Sequence, residues 1–295
     1  MQRYSRIRAD ILKPRFLLAS LHIEAILQET SIARRGKRLK LVREGAGLGD
    51  AYGATLERIY AQGREKTKLA IATLTWICYS ERPLHVDELC HALAVEIGAS
   101  DFDPENIPSI GTLLGCCQGL IIVDREAPTV RLIHFTVQEY LCAHPDLFYK
   151  PHSMIAEACL TYLNSQQVKG PSSHLLSHHK TMPFLKYSSR YWGTHANREL
   201  TDLARALALE LLSQYKNHVS AVSLLMQIPH PSYIGGLGVP MRLSGLHCAS
   251  FFGIVELVAA LMNEDDCEIN QGDCAGNTPL FWRRRMGMKG WSSYY

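Results

Sequence analysis

The residues in this chain that could do chemistry fall into a few short patterns. His134 stands in the stretch TVRLIHFTVQEYLCA, residues 129–143. An alternating, β-branched half, Thr129-Val130-Arg131-Leu132-Ile133, there gives way to Phe135, Gln138-Glu139 and Cys142 at helical spacing. A histidine where a strand turns into a helix is a candidate ligand contact. A second pattern is His174, His178 and His179. The four-residue spacing of His174 and His178 would suit a metal ion on a helix. The cluster follows the loop Gly170-Pro171-Ser172-Ser173 with no other ligand type adjacent, so no metal site is expected there.

Glycines 45, 47, 49 and 53 make a third pattern, GAGLGDAYG. A phosphate-binding loop needs GxxxxGK[ST] after a buried strand, because backbone amides cradle the phosphates and a lysine must reach them. No strand precedes these glycines and no Lys-Ser/Thr closes them, while Gly63-Arg64-Glu65-Lys66-Thr67 lacks the leading glycine. No GxSxG nucleophile elbow occurs either. The expectation is a chain that is not an enzyme, with no catalytic residue and no cofactor of its own.

Composition sets the frame. The chain of 295 residues suits two or three domains, and 47% hydrophobic with 20% charged residues is enough to bury real cores. No apolar run approaches the roughly 18–20 residues that span a bilayer, and the N-terminus lacks signal-like patterning. Nine cysteines without CxxC spacing read as small buried thiols in a reducing compartment, which points to the cytoplasm. Residues 1–43 hold eleven Lys/Arg against three acids, including six bases in 34–43, which read as a solvated basic connector. Residues 44–282 hold sixteen bases against twenty-five acids, so the body is acidic and ill suited to a broad nucleic-acid surface.

These residues need elements to position them. Residues 16–28, FLLASLHIEAILQ, have helical apolar spacing, and helices are expected over Tyr52–Tyr60 and Leu69–Tyr79. Leu84-His85-Val86 is a short extended entry to a helix running from Asp87 through Leu93. A further helix, Ile110–Cys117, leads to the strand Leu120–Val123, a turn at Asp124–Pro128, and the antiparallel strand Thr129–Ile133. Helix, short strand, two helices and a β-hairpin make winged-helix order. Winged helices often bind DNA through the third helix. Here that helix, within PSIGTLLGCCQG, carries no Lys or Arg, and the wing DREAP has two acids and one base, so protein packing is the better reading. A salt-dependent DNA regulator is the alternative, and a remnant of a nucleotide-hydrolysing NTPase another.

Beyond Pro151, four amphipathic segments are expected: Met154–Asn164, Phe184–Thr194, Glu199–Tyr215 and Val219–Ile228. A Pro/Gly-rich linker over 229–241 follows. Ser244 to Val258 then reads as two short helices joined by a glycine turn, and Asn270–Leu280 starts the same unit again. Leu246 and Leu280 are 34 apart. Leu246-His247-Cys248-Ala249 matches L-H-x-A and Thr278-Pro279-Leu280 matches T-P-L, the signatures of an ankyrin repeat.

This order of parts resembles fungal NLR-like proteins, in which a NACHT-class NTPase is followed by ankyrin repeats, with a winged-helix segment similar to that of GPI inositol-deacylase relatives. The likeness covers about residues 13–282. It is carried by Phe16-Leu17-Leu18-Ala19, Tyr52, Leu56-Glu57-Arg58-Ile59, Trp76, Arg82-Pro83-Leu84, Asp87-Glu88-Leu89, His91-Ala92-Leu93, Cys117, Gly119-Leu120, Ile133-His134-Phe135-Thr136, Gln138-Glu139-Tyr140 and Arg190-Tyr191-Trp192. The resemblance implies that His134 contacts a nucleotide phosphate and latches a closed, ADP-bound state, if an NTPase core is present. With no P-loop in this sequence, His134 is expected to be idle here.

The fold expected is mainly α. A helical segment over 1–68 follows a missing NTPase core, and a winged helix with a small β-hairpin occupies 69–150. A helical spacer and linker fill 151–240, about one and a half ankyrin repeats 241–282, and an atypical tail 283–295. After Trp282 the sequence fits no repeat, which suggests an altered reading frame or the end of a gene model. The expected function is non-catalytic regulation and protein binding. A protein partner would be held through Leu246, His247, Phe251, Phe252, Thr278, Pro279 and Leu280. No membrane contact is expected, nucleic acid is disfavoured, and nucleotide would be met only in a fuller relative.

Overall fold

A computed structural model describes residues 23, 26–27, 30–43, 48–124, 126–169, 182–215, 243–263, 267–273 and 275–286. His174, His178 and His179, the Val219–Ile228 segment, the 229–241 linker, Gly45, Gly47 and most of the 16–28 helix lie outside the described residues. Among the described residues the chain is mainly helical, with one small antiparallel sheet. Contacts sort into two compact units. One comprises residues up to Val86 with Ser109–Tyr149, the other Asp87–Pro108 with Lys150 onward, so the division passes through the 69–150 stretch.

In the first unit, helix α1 spans Ile32–Arg43 and α2 Leu48–Tyr60. Helix α2 buries Ala51, Tyr52, Thr55, Leu56 and Ile59, one face of a 3.6-residue repeat. Gly63, at φ 95°, turns the chain into α3 (Arg64–Tyr79), and Thr67 Oγ1 donates to the Ile59 carbonyl at 2.8 Å. Helix α3 starts a turn before the expected Leu69. Arg64-Glu65-Lys66 are good helix formers, and Glu65 sits at the positive end of the helix. Its buried apolar residues are Ala70, Leu74 and Trp76.

Strand β1 (Leu84–His85) precedes helix α4 (Val86–Ala94) in the chain. Helix α5 (Ile110–Cys116) is capped by Ser109, whose hydroxyl accepts the Thr112 N–H at 3.1 Å. Gln118 at φ 51° and Gly119 at φ 82° are consecutive left-handed residues that turn the chain into β2 (Ile121–Val123). Strand β3 (Thr129–Leu132) is central, in the order β1-β3-β2, with Val130 opposite both Leu84 and Val123. The expected hairpin therefore gains a third strand from the Leu84-His85 entry. Gln62 Nε2 donates to the Cys116 carbonyl at 2.8 Å, joining the ends of α2 and α5. Helix α6 (Phe135–Cys142) follows, and the unit ends at Tyr149.

The second unit is built on α7 (Pro151–Asn164), α8 (Gln166–Lys169), α9 (Leu185–Arg198) and α10 (Asp202–Ser213). Ten of the fourteen α7 residues are buried, which makes it the central helix of its unit. Ring contacts at 4.9–5.9 Å run from Phe102 through Tyr162, Phe184 and Tyr187 to Tyr191. Helices α11 (Gly245–Phe252) and α12 (Val255–Met262) follow, joined at Gly253, which takes φ 73°. Helix α13 (Pro279–Met286) continues past Trp282, so Arg283 to Met286 are helical. The described cysteines are free thiols, with Cys90, Cys116, Cys117, Cys159 and Cys248 buried and Cys142 exposed. Among the described residues no helix is long and apolar enough to cross a membrane.

Candidate functional site

His134 is the first residue beyond the wing ladder. The Ile133 N–H donates to the Leu120 carbonyl at 2.9 Å, and His134 then takes extended backbone (φ −154°, ψ 153°) as the N-cap of α6. Its Nδ1 accepts the Thr136 N–H at 3.3 Å and lies 2.9 Å from Thr136 Oγ1. The same Oγ1 is 2.7 Å from the Tyr52 hydroxyl, which reaches in from α2. Tyr52 is 2% exposed, and its ring meets Tyr140 at 5.4 Å. Burial raises its phenol pKa above the ordinary value, against the lowering effect of the Thr136 bond, so the hydroxyl keeps its proton. The His134 ring is half-buried and tilts against Phe135, which is 61% exposed.

Histidine is not a preferred N-cap, yet its Nδ1 here occupies the place of a Ser or Asp oxygen. His134 thus holds the start of the helix that follows the wing. The sequence carried the strand–helix joint. Tyr52 and Thr136 could not be read as its partners, because Tyr52 lies 84 positions from Thr136.

The partner-binding candidates form a second constellation, within the other unit. Ser244 and His247 make a capping box at the start of α11. The Ser244 hydroxyl accepts the His247 N–H, and His247 Nδ1 accepts the Ser244 N–H at 3.2 Å. His247 Nε2 reaches the Asn277 carbonyl at 3.2 Å, across to the loop before α13. The ring is 1% exposed, and burial lowers its pKa more than the Asn277 carbonyl and Asp273 raise it. Leu246, His247, Phe251 and Phe252 are buried, so with Pro279 five of the seven residues proposed to touch a partner pack internally. Pro279 is buried at the first position of α13 and Thr278 is half-buried, whereas Leu280 is 77% exposed and Phe281 44%.

Sequence reading passed over Asp273. It is 6% exposed and its carboxylate accepts from Ala275 N, Asn277 N, Asn277 Nδ2 and Trp282 Nε1 at 2.8–3.1 Å. Gly276, at φ 77°, lets the loop close around it. The signal was present in Asp273-Cys274-Ala275-Gly276-Asn277, a side-chain acceptor followed by a left-handed glycine.

The DNA alternative finds little in the wing. A groove of about 740 Å³ beside β2 is lined by Leu114, Ile121, Ile122 and Val123 with Asp124, Glu126 and Arg131. Arg131 is already paired with Asp124 at 3.1 Å. Among the described residues, no group of three or more His, Cys, Asp or Glu could hold a metal ion.

The element order and the three-stranded sheet define a winged-helix domain. Residues 56–147 match the family model described as GPI inositol-deacylase, winged helix domain, a type shared by fungal NACHT-type proteins. The chain is also similar to the azaphilone pigments biosynthesis cluster protein L of Monascus ruber, at 30% identity over 140 residues. That alignment covers 41% of this chain and 29% of the relative, so the chain spans under a third of that protein's length. No solved structure matches the chain.

Proposed function

We propose that this chain is a non-catalytic regulatory and protein-interaction segment of a NACHT-type signalling protein. The winged helix serves as its conformational switch, and ankyrin-type helix pairs serve as its partner-binding surface. The observation that carries this reading is the seat of His134 at the wing–helix joint, inside the stretch that matches the winged-helix family. Beside an NTPase core, its imidazole donates to a nucleotide phosphate, and losing that contact releases the hinge.

The ankyrin part of the reading is supported by three features of residues 243–286. Helices α11 and α12 are joined by a left-handed glycine, His247 bonds across to the next loop, and Thr278-Pro279 opens a third helix in phase with Ser244-Gly245. Exposed Leu280 and Phe281 then offer apolar surface for a neighbour to cover.

The test uses a longer relative that carries an NTPase core ahead of this region. Replacing the histidine equivalent to His134 by asparagine, which keeps the cap, is expected to release bound ADP and favour the open, self-associating state. Unchanged nucleotide retention would overturn the switch. This chain itself, purified, should show no ATP hydrolysis above a buffer control, and measurable turnover would overturn the non-catalytic reading.

A further inference from the structure

His134 has two ring nitrogens, and their surroundings differ. The Thr136 backbone N–H can only donate, so the Nδ1 it reaches at 3.3 Å must present a lone pair. Thr136 Oγ1, 2.9 Å from the same nitrogen, is then also required to donate. A hydroxyl has one proton. Thr136 can give it to Nδ1 while accepting from a second hydroxyl, and Tyr52 supplies that donor at 2.7 Å. Bonds in such a chain polarise one another in one direction, from Tyr52 through Thr136 to His134.

We propose that Tyr52 and Thr136 are positioning residues for His134, locking its neutral imidazole with the proton on Nε2 and presenting that nitrogen as a hydrogen-bond donor to an anionic oxygen. A donor Nε2 suits a phosphate or carboxylate oxygen. A protonated Nε2 cannot ligate a metal while the lock holds. The ring is thereby readied for an anion without having to be charged. The ligand class rests on the switch reading above, whereas the tautomer lock does not.

The experiment is a long-range ¹H–¹⁵N correlation of the histidine rings in the ¹⁵N-labelled full chain, at a pH where the imidazole is neutral. The His134 signals are assigned by their loss in His134→Gln. The wild type is expected to show Nδ1 as the bare nitrogen and Nε2 protonated. Thr136→Val, which keeps the backbone donor and removes the hydroxyl, should lower the ratio of the Nε2–H to the Nδ1–H form about fivefold, the worth of one ordinary hydrogen bond. Tyr52→Phe should lower it by a smaller factor, and Thr136→Ser should restore it. A protonated Nδ1 in the wild type would overturn the lock, as would a ratio unmoved in Thr136→Val. If Tyr52→Phe does not fold, the Val and Ser variants at 136 still decide the matter. Because no nucleotide is present, a locked tautomer with unchanged ADP retention in the longer relative would remove the switch and leave the lock standing.

Discussion

Trp192 of α9 and Phe252 of α11 meet with ring centroids 5.0 Å apart, and the contact is possible because the next residue after the tryptophan is Gly193. A Cβ at Gly193 would overlap the Phe252 ring, and one at Gly245 would overlap the Leu212 carbonyl. Two glycines thus let a pair of short helices settle against the helices before them. A single helix pair cannot bury both of its faces alone, and here the preceding helices cover one.

Filling that contact should loosen the pair. Gly193→Ala is expected to cost about 1–3 kcal/mol through overpacking, and Phe252→Ala about 3–5 kcal/mol through the cavity it leaves. Urea unfolding followed by tryptophan fluorescence reads both. A Gly193→Ala protein as stable as the wild type would show that the ring has room to move.

The N-cap at His134 predicts a graded response. His134→Ala should lower stability by about 1 kcal/mol, because the Thr136 amide loses its acceptor. His134→Asn should stay within a few tenths of a kcal/mol of the wild type, since asparagine is a preferred cap. Equal midpoints for the alanine variant and the wild type in chemical denaturation would rule the cap out as a stabilising contact.

What the sequence made legible was whatever local periodicity encodes. Alternation marked the strand around Val130, helical spacing marked α6 and α7, and Gly253 marked the turn between the two short helices α11 and α12. Strand β1 is two residues long, too short to show a period, and it exists as a strand only through its pairing with β3. The surroundings of His134 depend on Tyr52, far away in the chain. Leu246 and Leu280 hold equivalent positions in the motif, yet one is 5% exposed and the other 77%. Exposure follows from what packs alongside, and a repeat signature does not contain that.

Burial of His195 predicts loss of stability in acid. Its Nδ1 is 2.9 Å from His152 Nδ1 and its Nε2 2.9 Å from the Tyr187 hydroxyl. Burial, then the charges of His152 and Arg198, lower its pKa from 6.5 to about 3. The unfolded chain therefore binds a proton that the folded state refuses. Stability is full above about pH 6.5 and falls as pH drops from there toward about 3, by on the order of 3 kcal/mol at about pH 4. His195→Gln should flatten that slope in urea titrations across pH, and a slope unchanged by the substitution would assign the acid sensitivity to other groups.

Asp273 predicts a large effect from one polar side chain. Its carboxylate satisfies two backbone amides, the Asn277 side chain and the Trp282 indole, so truncation leaves several part-buried donors without their acceptor. Asp273→Ala should cost about 3 kcal/mol, since bonds to a charged acceptor are stronger than neutral ones. Asp273→Asn should cost less, because its remaining oxygen still serves the two backbone amides while its NH₂ faces the Asn277 and Trp282 side-chain donors. The readout is the Trp282 indole N–H signal in ¹H–¹⁵N spectra, assigned by its loss in Trp282→Phe. In Asp273→Ala that proton should exchange with solvent much faster than in the wild type. If its exchange is unchanged, the indole is held by something other than Asp273, and the loop does not depend on this carboxylate for its closure onto α13.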